Sequence, residues 1–553
     1  MNLKLRQWQQ EALAKALDWL LVEKKTHRFL MNAAPAAGKT IASCAIAQKL
    51  LCQNEVDRVV VIAPRSEVIN QWSDDFRWIT GRPMFKVTAA DGDIGALGVD
   101  VCATWSAIQR LLPELQAICR ASRVLVICDE HHHAAVKAAW GESADGAFAQ
   151  ARFALILTGT PIRSDGEESV WLAYDDAGAI DHPDEGTYTL TYGDAVDFGY
   201  CRPVTFHRHE GKFSVDLDGT AVRVSGQKPA ELSPELKRVP GLQTALDFYR
   251  LACTAQYQSD GVTPLLTGFQ GTMLQSASEK LTELRLRLPN AGGLVIAPSI
   301  DMAAYMVALL EQLEGERPML VHSNMSNPSN IIKAFRNTDK RWLVSVMMVS
   351  EGVDIKRLRV LSYLPNALTE LAFRQAVGRV VRTMGPEDDT RAYVVMPSFE
   401  TFNRYARRVE EEMAPSQRVQ NRSARSKRCG SCGDECALNA QECPGCGYVF
   451  PVAPEQIKTC DDCGGINPLS ARECHFCGKS FGHDFNLTLD EALRTGVIAR
   501  GMDIDEAEVQ EAERIAPQIR SAVLRSGDAR LVRIVQALPD ESWVRLRSIL
   551  AAE

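Results

Sequence analysis

Three short apolar runs constrain this chain more than any other feature. They are Arg58-Val59-Val60-Val61-Ile62-Ala63, Val124-Leu125-Val126-Ile127-Cys128 and Phe153-Ala154-Leu155-Ile156-Leu157. None alternates apolar with polar residues. A strand with one wet face alternates, whereas a strand buried on both faces reads as a continuous apolar run. Such strands belong to parallel sheets covered by helices, and helical patterns fill the intervals between these runs. Each run leads into a polar, proline-containing or glycine-containing turn, and in open α/β sheets the functional loops gather at the carboxyl ends of strands. Residues 1–205 therefore predict one α/β domain. A second set of runs (Gly293–Ala297, Met319–His322, Trp342–Val346 and Ala392–Met396) predicts another over 241–412. Between them, 206–240 reads as a polar hairpin (Lys212 to Val224) and linker.

Chemistry enters at the ends of these strands. Phe29-Leu30-Met31 leads into Ala33-Ala34-Pro35-Ala36-Ala37-Gly38-Lys39-Thr40, which opens an apolar helical pattern. Strand, loop and then Gly-Lys-Thr at a helix start is the context of a phosphate-binding loop. Backbone N–H groups and the helix N-terminus favour phosphate there. Lys39 is placed to reach the β- and γ-phosphates and the Thr40 hydroxyl to ligate Mg²⁺. Ala37, Gly38, Lys39 and Thr40 are thus nucleotide-binding candidates, although Ala33 stands where the full pattern has its first glycine. The second run ends in Asp129-Glu130-His131-His132-His133. Asp129 can hold Mg²⁺ directly or through water, and Glu130 can orient and deprotonate the attacking water. The histidines are not read as a metal site, because three consecutive side chains splay apart.

Together these residues resemble a known family. Asp129-Glu130-His131-His132 resembles the Asp-Glu-x-His box of the superfamily 2 helicases, and the supporting motifs follow in the family's order. Leu5-Arg6-Gln7-Trp8-Gln9 resembles the motif whose glutamine reads adenine, which makes Arg6 and Gln9 candidates for the base. Ala63-Pro64-Arg65 and Thr104-Trp105-Ser106 resemble first-domain loops that grip a nucleic-acid backbone, through Pro64, Arg65 and Thr104. Leu157-Thr158-Gly159-Thr160-Pro161 resembles the motif that couples hydrolysis to movement, and Ala297-Pro298-Ser299 a second-domain loop that touches the strand through Ser299. Ser350-Glu351-Gly352-Val353-Asp354 is similar to motif V, and Gln375-Ala376-Val377-Gly378-Arg379-Val380-Val381-Arg382 to motif VI.

The nearest subgroup resembles the motor subunits of type III restriction systems and phage-type repair helicases. The resemblance, over about residues 3–400, implies two RecA-like P-loop domains with ATP between them and one strand of nucleic acid across both. It implies that Arg379 and Arg382 act as arginine fingers and that Gln375 contacts the γ-phosphate or water. It also implies that Asp354 accepts a hydrogen bond from ribose, that Gly352 permits close approach, and that Ser350 touches the polymer. Val346, with Ser345 beside it, stands where many members carry threonine.

Nine of the 16 cysteines lie between Cys429 and Cys477. Within 429–482 the pattern Cys-x₂-Cys-x₁₀-Cys-x₂-Cys occurs twice: Cys429, Cys432, Cys443, Cys446, then Cys460, Cys463, Cys474, Cys477. Four thiolates in two close pairs suit tetrahedral Zn²⁺, so the repeat predicts two small zinc-ribbon modules, one structural ion each. Such modules bind nucleic acid or dock a protein partner. A basic stretch, 413–428, precedes them and reads equally as a solvated linker or a nucleic-acid contact. Residues 486–553 predict a helical module, a second place for a protein partner.

Net charge is −8, which argues against a protein that coats DNA by bulk charge but not against a motor with a confined basic groove. No apolar run reaches the roughly 18 residues of a membrane span. Met1 to Arg6 lack the apolar stretch of a signal peptide. These features predict a cytoplasmic protein without membrane contact. The leading expectation is an ATP-dependent DNA helicase or translocase in repair, replication, restriction or defence. The alternatives are an RNA helicase, or a motor or adaptor subunit of a larger nucleic-acid complex.

Overall fold

The computed structural model describes residues 4–488 except 36, 65, 89–98, 109, 132–138, 160–170, 175–179, 218–219, 227–231, 233, 235–245, 323, 326, 347–354, 385–387, 389, 414–425, 430–431, 433, 438–444, 447–456, 460–465, 469–470, 472–473 and 478–480. The first lobe holds strands β1 (Arg28–Ala33), β2 (Arg58–Ala63), β3 (Met84–Val87), β4 (Asp100–Thr104), β5 (Val124–Cys128), β6 (Phe153–Thr158) and β7 (Thr187–Leu190). They form one sheet in the order β3-β4-β2-β5-β6-β1-β7, with every neighbouring pair parallel. The apolar runs have the physical cause expected of them. Val59 and Val61 of β2 enter one hydrophobic core, and Val60 and Ile62 enter another on the opposite face. Leu125 and Ile127 of β5 likewise face the first core, and Val124 and Val126 the second. A strand wetted on neither face has no use for alternation.

The second lobe has its own parallel sheet. Its strands are β8 (Val204–His209), β11 (Gly292–Ile296), β12 (Met319–Val321), β13 (Trp342–Ser345), β14 (Leu358–Tyr363) and β15 (Ala392–Pro397). Their order is β8-β15-β14-β11-β13-β12. Two RecA-like α/β domains are therefore present. The boundary between them differs from the expected one. Val204–His209, assigned by sequence to the end of the first domain and the linker, is the edge strand of the second sheet, paired with Ala392–Pro397. The strands β9 (Gly211–Leu217) and β10 (Thr220–Ser225) follow as an antiparallel hairpin.

A second correction concerns residues 486–488, which the sequence reading placed at the start of a helical module. They belong to a strand, β16 (His483–Thr488), that pairs parallel with β9, setting Phe485 opposite Phe213. Phe485 and Leu487 are buried while His483, Asp484 and Asn486 are exposed. That is period-two patterning, which favours a strand. Phe485 joins Phe213 and Phe269 at centroid separations of 5.4–5.5 Å, so the chain beyond the cysteine region is fastened to the second lobe. The rest of the expected helical module, 489–553, and most of the basic stretch lie outside the described residues. Among the described residues no helix is long and apolar enough to cross a membrane.

Two consecutive residues join the lobes. The Cys201 thiol donates to the Pro35 carbonyl of the first lobe at 3.2 Å. The Arg202 N–H donates to the Val381 carbonyl of the second at 2.7 Å. The Arg202 guanidinium is buried, donating to Asp388 at 2.6 Å and to the carbonyls of Lys356, Leu358 and Val380. Arg359, also buried, approaches the same Asp388 oxygen at 3.3 Å. A buried guanidinium persists when its donors are satisfied in this way.

Candidate active site

The loop after β1 is gripped from the N-terminal segment. Arg6 Nη1 donates to the Ala37 carbonyl at 2.8 Å, Trp8 Nε1 to the same oxygen at 3.2 Å, and Gln9 Nε2 to the Gly38 carbonyl at 3.0 Å. The Gln9 carboxamide also accepts from the Arg6 N–H at 2.9 Å, and the Gln9 N–H donates to the Arg6 carbonyl at 3.0 Å, which starts helix α1 (Gln7–Leu17). Arg6 and Gln9 therefore lie against the glycine-lysine step, as the resemblance implies for an adenine-reading pair. Gly38 has φ 99°, a left-handed conformation that turns the loop into helix α2 (Lys39–Cys52). Lys39 Nζ donates back to the Ala33 carbonyl at 3.0 Å, across the mouth of the loop. Thr40 is half-buried in the first turn of α2.

Asp129 and Glu130 follow β5 directly. Asp129 is buried, and its N–H donates to the Ile62 carbonyl at 2.8 Å. Trp72 Nε1, on helix α3 (Ser66–Thr80), donates to Asp129 Oδ2 at 2.7 Å, and Trp105 Nε1 donates to the Asp129 carbonyl at 3.0 Å. Burial first, and then the neighbouring Glu130 charge, hold the Asp129 carboxyl above the usual carboxylate range. A buried acid in that condition is the donor a divalent cation relieves, so the residues fit Mg²⁺. Glu130 takes φ 49°, a strained value for a non-glycine residue of the kind found at functional sites. His131 is buried between Trp105 and Trp171, with ring centroids 6.2 and 6.1 Å away. His132 and His133 lie outside the described residues.

The second lobe presents helix α4 (Glu370–Val380), started by Thr369, whose side chain accepts from the Ala372 N–H. Gln375, Arg379 and Arg382 come from this helix and its end. Gly378 faces the phosphate loop: a Cβ there would lie 2.9 Å from Pro35 Cβ. The two lobes enclose a cavity of about 210 Å³ bordered by Asn32, Pro35, Gly159, Arg374 and Gly378. Arg379 is mostly buried and Arg382 half-buried, and the Arg382 backbone bridges to Cys201. The structure thus brings Arg6, Gln9, Ala37, Gly38, Lys39 and the Gly378 turn of α4 around one loop. Gly352 and Asp354 lie outside the described residues.

The expected polymer contacts fare unevenly. Pro64 is half-buried just after β2. Thr104, the last residue of a strand buried throughout, is only 3% exposed, and its hydroxyl lies 3.1 Å from that of Ser106. Ser106, two residues on, is exposed, so it and not Thr104 offers a surface hydroxyl. Ser299 caps the helix Ile300–Glu314, accepting from the Met302 N–H at 3.2 Å. Ser345 is fully buried and offers no hydroxyl to the surface in place of the threonine missing at 346. Arg65 and Ser350 lie outside the described residues.

The cysteine repeat is repeated in the backbone. Ser426–Arg428 pairs antiparallel with Glu435–Ala437, and Ile457–Thr459 pairs with Ile466–Pro468 in the same register 31 residues later. The sulfurs of Cys429, Cys432 and Cys446 lie within 4.8 Å of one another, Cys429 and Cys446 at 3.5 Å. Thiolates around one zinc ion stand about 3.8 Å apart, given Zn–S near 2.3 Å, so this cluster fits the ion. Cys443, Cys460 and Cys463 lie outside the described residues; Cys474 and Cys477 lie within them. Asn467 holds the second module: its Nδ2 donates to Cys474 Sγ at 3.5 Å and its Oδ1 accepts from the His475 N–H at 2.8 Å.

Trp72, Asn467 and the Gly378–Pro35 contact were not singled out in the sequence. Trp105 was present inside a motif, but nothing there pointed its indole at Asp129.

Parts of this chain are similar to known proteins. Residues 2–163 match the family described as "Type III restriction enzyme, res subunit", and residues 276–384 match "Helicase conserved C-terminal domain". An uncharacterized protein of Mycobacterium tuberculosis (strain ATCC 25618 / H37Rv) is 31% identical over 396 residues, 71% of this chain and 61% of its own length. One from Mycobacterium leprae (strain TN) is 30% identical over 393 residues, 70% of this chain and 61% of its own. This chain thus spans about 61% of the length of the curated relatives it matches. Among solved structures, a fragment of a putative HsdR subunit of a type I restriction enzyme from Vibrio vulnificus YJ016 superposes with TM-score 0.48 at 19% identity, covering 72% of this chain and 65% of that one. Dbp5 of S. cerevisiae bound to RNA and ADP BeF3 gives TM-score 0.44 at 11% identity, covering 74% and 92%.

Proposed function

We propose that this chain, a superfamily 2 helicase, hydrolyses ATP to drive movement along nucleic acid, with DNA as the polymer. The observation that carries the reading is the meeting at one phosphate loop of three parts distant in sequence. Arg6 and Gln9 bind its carbonyls, Lys39 spans its mouth, and Gly378 of the motif VI helix abuts its Pro35. Arg6 and Gln9 select the base. Backbone N–H groups at the start of α2, with Lys39, hold the phosphates. Thr40 and Asp129 hold Mg²⁺, which neutralises phosphate charge when bound. Glu130 takes a proton from the attacking water. Gln375 orients that water, and Arg379 and Arg382 stabilise charge on the transferring phosphoryl group when the lobes close. Asp354 and Gly352 complete the nucleotide site, on the same resemblance.

Pro64, Arg65, Ser106, Ser299 and Ser350 are the polymer contacts we favour. Preference for DNA over RNA rests on the likeness of residues 2–163 to restriction subunits, since phosphate contacts do not separate the two polymers. Two structural Zn²⁺ ions, one on Cys429, Cys432, Cys443 and Cys446 and one on Cys460, Cys463, Cys474 and Cys477, hold modules too small to fold on a hydrophobic core.

The test is the ATPase rate with single-stranded, duplex and forked DNA, with single-stranded RNA and without polymer, at one salt concentration. Lys39→Ala and Glu130→Gln serve as blanks. DNA should stimulate most and both blanks should be inactive. Stimulation by RNA alone would move the substrate to RNA. Hydrolysis surviving in the blanks would remove the site.

A further inference from the structure

We propose that Trp72 and Trp105 are positioning residues that link the polymer-gripping loops of the first lobe to Asp129, Trp72 through its carboxylate and Trp105 through its backbone carbonyl. The inference rests on the reading above of Asp129 as an Mg²⁺ carboxylate and of the loops after β2 and β4 as polymer contacts. It adds the means by which one site regulates the other.

Asp129 is tied to both loops by hydrogen bonds. Its N–H donates to the carbonyl of Ile62, which directly precedes Ala63-Pro64-Arg65. Its Oδ2 accepts from Trp72 on α3, the helix that leaves that same loop. Its carbonyl accepts from Trp105, which lies between Thr104 and the exposed Ser106. Trp72 and Trp105 are 0% and 1% exposed. An indole offers one donor in a rigid plane, and one packed on all sides cannot rotate away while its backbone moves. Displacement of either loop by a bound strand therefore moves a donor on the aspartate. Packing alone does not require this arrangement, since phenylalanine fills such a site without an N–H. Two indoles, one on the helix that follows the first loop and one beside Thr104, converge on one residue, which is the one adjacent to the proposed general base. Of the two bonds only that of Trp72 is made to the carboxylate, and such bonds are among the stronger ones in proteins.

Linkage between the sites is reciprocal, so it can be read without turnover. The experiment measures binding of labelled single-stranded DNA by anisotropy, with and without Mg²⁺ and a non-hydrolysable ATP analogue. It uses the full chain and its Trp72→Phe, Trp105→Phe and Trp78→Phe variants. Trp78 lies on the same helix but is largely exposed, so it controls for tryptophan loss. In the parent protein the nucleotide should change DNA affinity by a factor on the order of 5–150. In Trp72→Phe and Trp105→Phe that factor should fall towards one, while DNA affinity without nucleotide and nucleotide affinity without DNA are kept. Trp78→Phe should behave as the parent. A merely structural role would weaken both single affinities and leave their ratio intact, which would overturn the proposal. An unchanged factor in whichever of the two variants folds would do the same. A parent protein showing no linkage at all would instead sink the motor reading, and this proposal with it.

Discussion

Gly378→Ala separates helix quality from lobe closure, because the two respond in opposite directions. The new Cβ would stand 2.9 Å from Pro35 Cβ and 3.5 Å from Pro35 Cγ. Non-bonded carbons prefer roughly 3.5–4.0 Å, so α4 and the phosphate loop must part by about 0.6–1 Å. A misplacement of that size at a reacting centre costs up to about 10²-fold. We expect kcat in saturating DNA to fall about 10- to 100-fold, or roughly 1.4–2.7 kcal/mol of transition-state stabilisation. Within a helix, however, alanine is better than glycine by about 0.5–1 kcal/mol. The thermal midpoint should therefore hold or rise while turnover falls. Nucleotide binding, made largely by the first lobe, should be nearly preserved. Removing the opposing atoms in a Pro35→Gly background should cancel most of the penalty, as a double-mutant cycle would show. Full turnover in Gly378→Ala would refute the contact. So would an equal loss in the Pro35→Gly background, and a fall in thermal midpoint would assign the loss to folding.

Arg379→Ala should lower kcat strongly while leaving nucleotide affinity measured by equilibrium binding nearly intact, because the interaction belongs to the transition state; parallel loss of both would make the residue structural. Asp388→Asn should destabilise the second lobe by about 3–5 kcal/mol in denaturant titration, since it strips buried Arg202 and Arg359 of their shared anion. Burial alone would raise the Asp388 carboxyl, but Arg202 and Arg359 outweigh it and hold it at about 2. Its contribution is therefore full above the unfolded value of about 3.9 and is lost as pH falls through the folded one, so the variant's deficit should shrink in acid. Metal analysis should find one Zn²⁺ per cysteine module, and Cys429→Ser with Cys432→Ser should release one ion and leave the other.

The strings that announced the fold were those whose meaning is local. Val59 to Ile62 and Val124 to Ile127 had to be apolar at every position because both faces of their sheet are covered, and that demand is written in consecutive residues. The phosphate loop and the Asp129-Glu130 pair are equally local, since backbone donors and a strand end set them. The contacts that were not legible join residues far apart. Trp72 meets Asp129 across 57 positions and Arg202 meets Asp388 across 186. A tryptophan in a helix reads as core, and nothing nearby tells its indole which acceptor it will find. Thr104 misled for a related reason. Motif likeness marked the right loop, but Thr104 ends a strand covered on both faces and is buried, whereas Ser106 sits in the short helix that follows (Trp105–Ile108) and is exposed.

The crossing between lobes adds a constraint that the separate motifs do not contain. Cys201 binds Pro35 in the phosphate loop, and Arg202, the next residue, binds Val381 at the end of the motif VI helix. One peptide unit thus fixes both partners of the Gly378–Pro35 contact to the same short stretch of backbone. A lobe motion that opened the cleft by sliding would have to break Cys201 from Pro35 or Arg202 from Val381, and the latter is embedded in buried, carbonyl-satisfied guanidinium packing. The helix Tyr192–Asp197, which precedes the crossing, also packs on the helix Glu400–Met413 of the second lobe, so the crossing and the segment before it are both held against that lobe.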